Sequence, residues 1–147
     1  MLKDKLQQDM KDALKSGNSQ KRTLLGMAMS AIKNKEIEKR SELNDEEIVS
    51  VIASEIKKRR DSVEQFTKGG RPELAEQENK EAEILMAYMP EQMSEEDVRS
   101  EVKKVIAETG AKDIKEMGKV IGAVMAKVKG KADGTLVSRI VKEELSK

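Results

Sequence analysis

The residues best suited to chemistry are five lysines, Lys115, Lys119, Lys127, Lys129 and Lys131, which share the stretch 115–131 with a single acid, Glu116. Ammonium groups gathered on one helix suit the holding of an anion. At 3.6 residues per turn, Met117, Val120, Ile121, Val124 and Val128 fall on one side and Lys115, Lys119, Lys127 and Lys129 on the other. Gly118, Gly122 and Ala126, four apart, form a third strip whose lack of bulk lets another backbone come close. A neighbouring helix of the same small domain is the expected occupant, with a nucleic-acid backbone as the alternative. Lys129-Gly130-Lys131 carries positive charge past the predicted helix end. Asp133-Gly134 then opens a helix whose free N–H groups can join an anion site, although Asp133 already supplies a carboxylate there. The plain alternative for the lysines is a solvated face, the usual fate of charge on a helix.

Other chemistry is largely closed to this chain. It contains no His and no Cys, which removes imidazole bases, thiolate nucleophiles, disulfides and zinc sites built from those ligands. No Gly-x4-Gly-Lys-Ser/Thr phosphate loop occurs. Carboxylates remain, in Glu76, Glu78, Glu81 and Glu83 or in Asp61 and Glu64, as acid, base or metal-ligand candidates. They alternate with lysines as on exposed helices, so no catalytic, cofactor or metal site is expected. A third possibility is a protein-binding scaffold, in which the early helices form an amphipathic groove and Met86, Met89 and Met93 supply adaptable contacts. The residues after 93 include no aromatic side chain on which an exposed base could stack. The anion is therefore expected to be recognised through phosphates and shape, as in folded RNA.

The elements that must position these residues are helices. Charged residues make up 39% of the 147 and hydrophobic ones 37%, with two Pro, one Phe, one Tyr and no Trp, a mixture that favours an all-α protein. Leu2, Leu6, Met10, Ala13 and Leu14 predict a first helix, ended by Ser16-Gly17-Asn18. Leu24, Met27, Ala28, Ala31 and Ile32 predict a second from Ser19 to about Arg40, with Ile37 needing a partner surface. Asn44 with Glu47 reads as a capping box for a third helix through Ile48, Ile52, Ile56, Val63 and Phe66, which Gly69-Gly70 ends. Pro72 starts a fourth, carrying Leu74, Ile84, Leu85 and Tyr88.

Pro90 to Met93 reads as a hinge, which divides the chain into an N-terminal four-helix domain, 1–93, and a three-helix tail, 94–147. Ser94 with Asp97 caps the first tail helix, Gly110 ends it, Asp113 caps the next, and Asp133 caps the last. Net charge is only +1, so attraction to a polyanion must be local. The 17 basic and 18 acidic groups before residue 94 give way to 12 and 10 after it. Glu95, Glu96, Asp97, Glu101 and Glu108 crowd the first tail helix, and ion pairs from it to the lysines would remove the support for anion binding. The chain opens on a polar helix, shows no cleavable leader and has no run of about 20 apolar residues. The cytoplasm is the expected compartment, with no membrane partner.

Tyr88-Met89-Pro90-Glu91-Gln92-Met93-Ser94-Glu95-Glu96, Ile106-Ala107-Glu108-Thr109-Gly110-Ala111 and Met117-Gly118-Lys119-Val120 through Lys131-Ala132-Asp133-Gly134 resemble the YqeY family. Ala31 to Ile37 and Lys58-Arg59-Arg60-Asp61-Ser62 extend the resemblance to the amino-terminal region. The tail is also similar to the carboxy-terminal domain of GatB, a subunit of the glutamine-dependent aspartyl/glutamyl-tRNA amidotransferase, whose tail is associated with tRNA. The resemblance implies an all-helical two-part protein that contacts tRNA or other folded RNA and works beside the amidotransferase or other aminoacyl-tRNA machinery. It implies no catalysis, because the carbon–nitrogen ligase domain is absent. GatB tails commonly carry Pro where this chain has Gly134, so the implied role transfers weakly to that position. The phosphate-contacting candidates are Lys115, Gly118, Lys119, Lys127, Lys129, Lys131 and Arg139.

Overall fold

The structure, a computed structural model, describes every residue except Lys129, so that candidate lies outside the described residues. The described residues are all-helical, as composition and periodicity predict. They group into two compact units, Met1–Met89 and Pro90–Lys147.

The first unit holds α1 (Leu2–Ser16), α2 (Ser19–Lys39), α3 (Asp45–Lys68) and α4 (Pro72–Met86). Local chemistry sets their ends. Gly17 takes φ +76° and closes α1, a left-handed conformation that costs glycine little. The Asn18 side chain accepts from the Lys21 amide to start α2. Asn44 and Glu47 form the expected reciprocal cap of α3, satisfying two amides that a helix start otherwise leaves open. Pro72 sits in the first turn of α4.

Leu6, Leu24, Leu25, Ala28, Ile32, Ile48, Ile52, Leu85 and Tyr88 lie in the core of this unit. Leu25 rather than Met27 completes the α2 stripe, and Met27 is 54% exposed. Leu24, Leu25, Ala28 and Ile32 centre on one direction of the helix, and Met27 lies roughly 115° from it. The Tyr88 hydroxyl donates to Asp9 Oδ2 at 2.5 Å and Lys5 stands over its ring, tying α1 to the end of α4. Arg59 is buried beside Glu55 and Glu81.

The second unit holds α5 (Glu95–Thr109), a 3₁₀ turn (Ile114–Glu116), α6 (Met117–Val128) and α7 (Gly134–Leu145). Val98, Val102 and Val105 of α5 pack with Val120, Val124 and Val128 of α6 and with Val137, Ile140, Val141 and Leu145 of α7. Ser94 accepts from the Asp97 amide and caps α5. Asp113 and Glu116 make a reciprocal cap on the 3₁₀ turn, and Asp133 accepts from the Thr135 amide. The segment before α5 belongs to this unit: Gln92 donates to the Gly130 carbonyl at 3.0 Å, and the Met93 amide donates to that of Lys131 at 2.8 Å.

Candidate nucleic-acid interface

Three valines of α6, Val120, Val124 and Val128, are buried, and Met117 and Ile121 pack partly against them. That apolar side turns Gly118, Lys119, Gly122 and Ala126 outward, where all four are exposed. Lys127, expected on the opposite side, instead lies only about 20° round the helix from Val120 and is exposed at the edge of the packed face. A Cβ placed on Gly118 or Gly122 would meet nothing within 4 Å. The expectation that a neighbouring helix occupies this small-residue strip is therefore corrected. The strip lies roughly 140° round the helix from the valines, which with Met117, Ile121, Ala123 and Met125 make the core contacts of α6.

The candidate cations divide into two groups. Lys115, Lys119 and Lys131 are exposed, and none has an ion-pair partner among the described residues. Lys112, which the sequence reading passed over, is exposed in the same way and extends the free group on the amino side of α6. Lys127 and Arg139 are engaged. The Lys127 ammonium donates to Glu108 Oε2 at 2.8 Å. Arg139 reaches Glu95 at 3.0 Å and Glu143 at 3.1 Å. Both helices that flank the candidate surface thus contribute carboxylates to it, and the acidic α5 captures one cation of α6 and one of α7.

Arg99 belongs to the same α5/α7 cluster, donating to Glu143 and to Glu144 at 2.7 Å each. The hydrogen bonds from Arg99 hold the Glu143 and Glu144 carboxyls below the usual carboxylate range, with Arg139 adding to the effect at Glu143 and Lys147 at Glu144. Arg99 did not stand out in the sequence, because its partners are on another helix, whereas Glu108 was among the acids of α5 expected to compete for the lysines and it takes Lys127. The arrangement provides fixed charge and an open backbone strip.

Two of the carboxylates considered for catalysis are held in local ion pairs. Glu76 pairs with Lys80 and Glu64 with Lys68 in exposed one-turn contacts. Glu81 is different: burial, with a smaller contribution from Glu78, raises its pKa beside Arg59. Among the described residues, no three acids assemble into a site able to hold a metal ion. No described helix is long and apolar enough to cross a membrane.

An all-helical chain whose second unit carries an exposed, partly neutralised basic helix is what the geometry defines. The chain belongs to the YqeY family: the model of the Yqey-like protein matches residues 3–145. Relatives share the name "Altered inheritance of mitochondria protein 41, mitochondrial". That of Eremothecium gossypii is 35% identical over 85 residues, covering 57% of this chain and 46% of the relative. That of Kluyveromyces lactis is 37% identical over 84 residues, covering 56% and 45%. That of Pyrenophora tritici-repentis is 28% identical over 142 residues, covering 95% and 78%. The chain thus spans about half the length of the first two relatives. Their names attach them to mitochondria and state no ligand.

Proposed function

We propose that this protein is a noncatalytic module that binds tRNA or other folded RNA through the outward side of α6, and that it serves a tRNA amidotransferase or other aminoacyl-tRNA machinery. The observation that carries the reading is the pairing of free charge with free space. Lys115 and Lys119 are exposed and unpaired among the described residues, and they border a Gly118/Gly122 strip on which nothing sits. A sugar-phosphate backbone lying on that strip reaches both ammonium groups and meets no side chain in its way. Both aromatic residues of the chain, Phe66 and Tyr88, precede the second unit, which favours backbone and shape contacts over base stacking. Such a protein works in a compartment that holds RNA: the cytoplasm, or the mitochondrion for which the relatives are named.

The test is a titration of tRNA at several salt concentrations. Each phosphate neutralised adds roughly 0.7 to 0.9 to the slope of log affinity against log salt. The K115E/K119E variant is expected to lose binding while its helical circular dichroism stays unchanged. Wild-type protein that fails to associate with tRNA at low ionic strength ends the proposal.

A second reading, a protein-binding scaffold, draws on the first unit. Ile37 is 66% exposed, and a groove between α2 and α3 is lined by Lys35, Glu38, Leu43, Ser50, Val51 and Ser54. Its charged rim is internally paired, Lys35 with Glu38 and Lys39 with Glu47. A partner retained in a pull-down after ribonuclease treatment would favour this reading, and one lost with the RNA would favour the first.

A further inference from the structure

The Lys127–Glu108 contact sits where the proposed RNA surface meets α5. It joins two helices across 19 residues of sequence at 2.8 Å, and its side chains are 42% and 61% exposed. On the α6 wheel Lys127 lies roughly 80° from Lys119 and roughly 140° from Gly122, toward the side that α5 covers, whereas Lys115 and Lys119 have no carboxylate partner among the described residues. An exposed pair of this kind contributes little to stability, because water and salt screen it and two flexible side chains must be held. Its carboxylate nevertheless stands where a phosphate oxygen would stand relative to the ammonium group.

We propose that Glu108 is a built-in competitor for the bound polyanion, occupying Lys127 in the free protein and yielding it to a phosphate on binding. The proposal rests on the reading of α6 as the RNA-contacting surface and adds a specificity device to it. A lone anion gains little by displacing a carboxylate already in place. A polyphosphate anchored at Lys115 and Lys119 presents its next phosphate to Lys127 at high effective concentration, and the exchange becomes favourable. The pair therefore raises the charge density a ligand must have, and it disfavours small anions and acidic peptides by repulsion from Glu108.

The experiment is a tRNA titration of wild-type protein, E108Q, K127Q and E108Q/K127Q, with E73Q as a matched loss of one negative charge at an exposed Arg71 pair of the first unit. Removing the competitor is expected to tighten binding about two- to fivefold at low salt, the range spanned by exposed ion pairs, and to steepen the salt dependence. The gain should vanish in E108Q/K127Q and be missing in E73Q. Unchanged affinity of E108Q, a gain that survives K127Q, or an equal gain in E73Q overturns the competitor role. If E108Q matches wild type while K115E/K119E still abolishes binding, only the competitor falls. If no variant binds tRNA, the RNA surface falls with it.

Discussion

Arg59 illustrates how far a single charged residue can depart from its surroundings in sequence. Within Lys58-Arg59-Arg60-Asp61-Ser62 it looks like one more solvated cation, yet its side chain is only 7% exposed. Its Nη1 donates to Glu55 Oε2 at 2.8 Å and to the Glu55 carbonyl at 3.0 Å, while Nε has no hydrogen-bond partner and lies 3.6 Å from Glu81. The signal was present in the spacing. Ile48, Ile52, Glu55 and Arg59 follow one another at helical intervals, which puts the last two on the buried stripe. Removing the guanidinium would leave two carboxylates in a poorly solvated place. R59L is thus expected to cost about 3 to 5 kcal/mol in urea unfolding. Replacing all three charges with apolar side chains, as in E55L/R59L/E81L, should recover most of that loss, because a well-packed apolar substitute often matches a buried ion cluster. A loss below about 1 kcal/mol in R59L would show that water reaches the cluster.

Among the elements, α6 was the most legible in composition and the least legible in context. Its apolar side could be read from the spacing of Val120, Val124 and Val128, and all three are buried. That Gly118 and Gly122 face open space could not be read, since a small-residue strip serves equally well as a packing seam or a bare surface. Glycine inside a helix gives up backbone entropy that alanine does not. With nothing within 4 Å of an added Cβ, G122A is expected to stabilise the second unit by about 0.5 to 1 kcal/mol, read from its thermal or urea transition. G122M should remain folded for the same reason. If an RNA backbone lies on the strip, G122M should bind tRNA more weakly than G122A. Equal binding by the two variants would place the RNA elsewhere.

For the whole molecule, the absence of His means that no side chain has an ordinary pKa near neutrality, so between about pH 5 and 8 stability is expected to change little beyond what the raised Glu81 contributes. The acid side is different. Four carboxyls lie below their ordinary value of 4.5: Glu36 through the Leu43 amide and Lys3, Glu47 through Lys39 and the Asn44 amide, and Glu143 and Glu144 through Arg99. A lowered folded-state pKa contributes stability that is present above the unfolded value and lost as pH falls through the folded one. Glu81 is raised and acts in the opposite sense, its contribution declining as pH rises from the unfolded value through the folded one. With four groups against one, the urea midpoint should fall as pH drops below about 4.5. The fall should be shallower in E143Q/E144Q. A midpoint that stays level into that acid range would show that these hydrogen bonds do not persist in solution.

The all-α class, the helix ends at Gly17, Asn44, Pro72, Gly110 and Asp133, and the closed routes to His and Cys chemistry were all legible in the chain. Each depends on signals that act within about one helical turn: a side chain reaching an amide three residues on, a glycine adopting positive φ, a proline without an amide. Which cations stay free is settled by helix packing. Lys127 is taken by a carboxylate 19 residues away and Arg139 by one on α5, whereas Lys119, of the same type and on the same helix as Lys127, has no partner among the described residues. An ion pair requires its two groups to meet within about 4 Å. Across helices that distance depends on crossing and rotation, which periodicity alone does not specify.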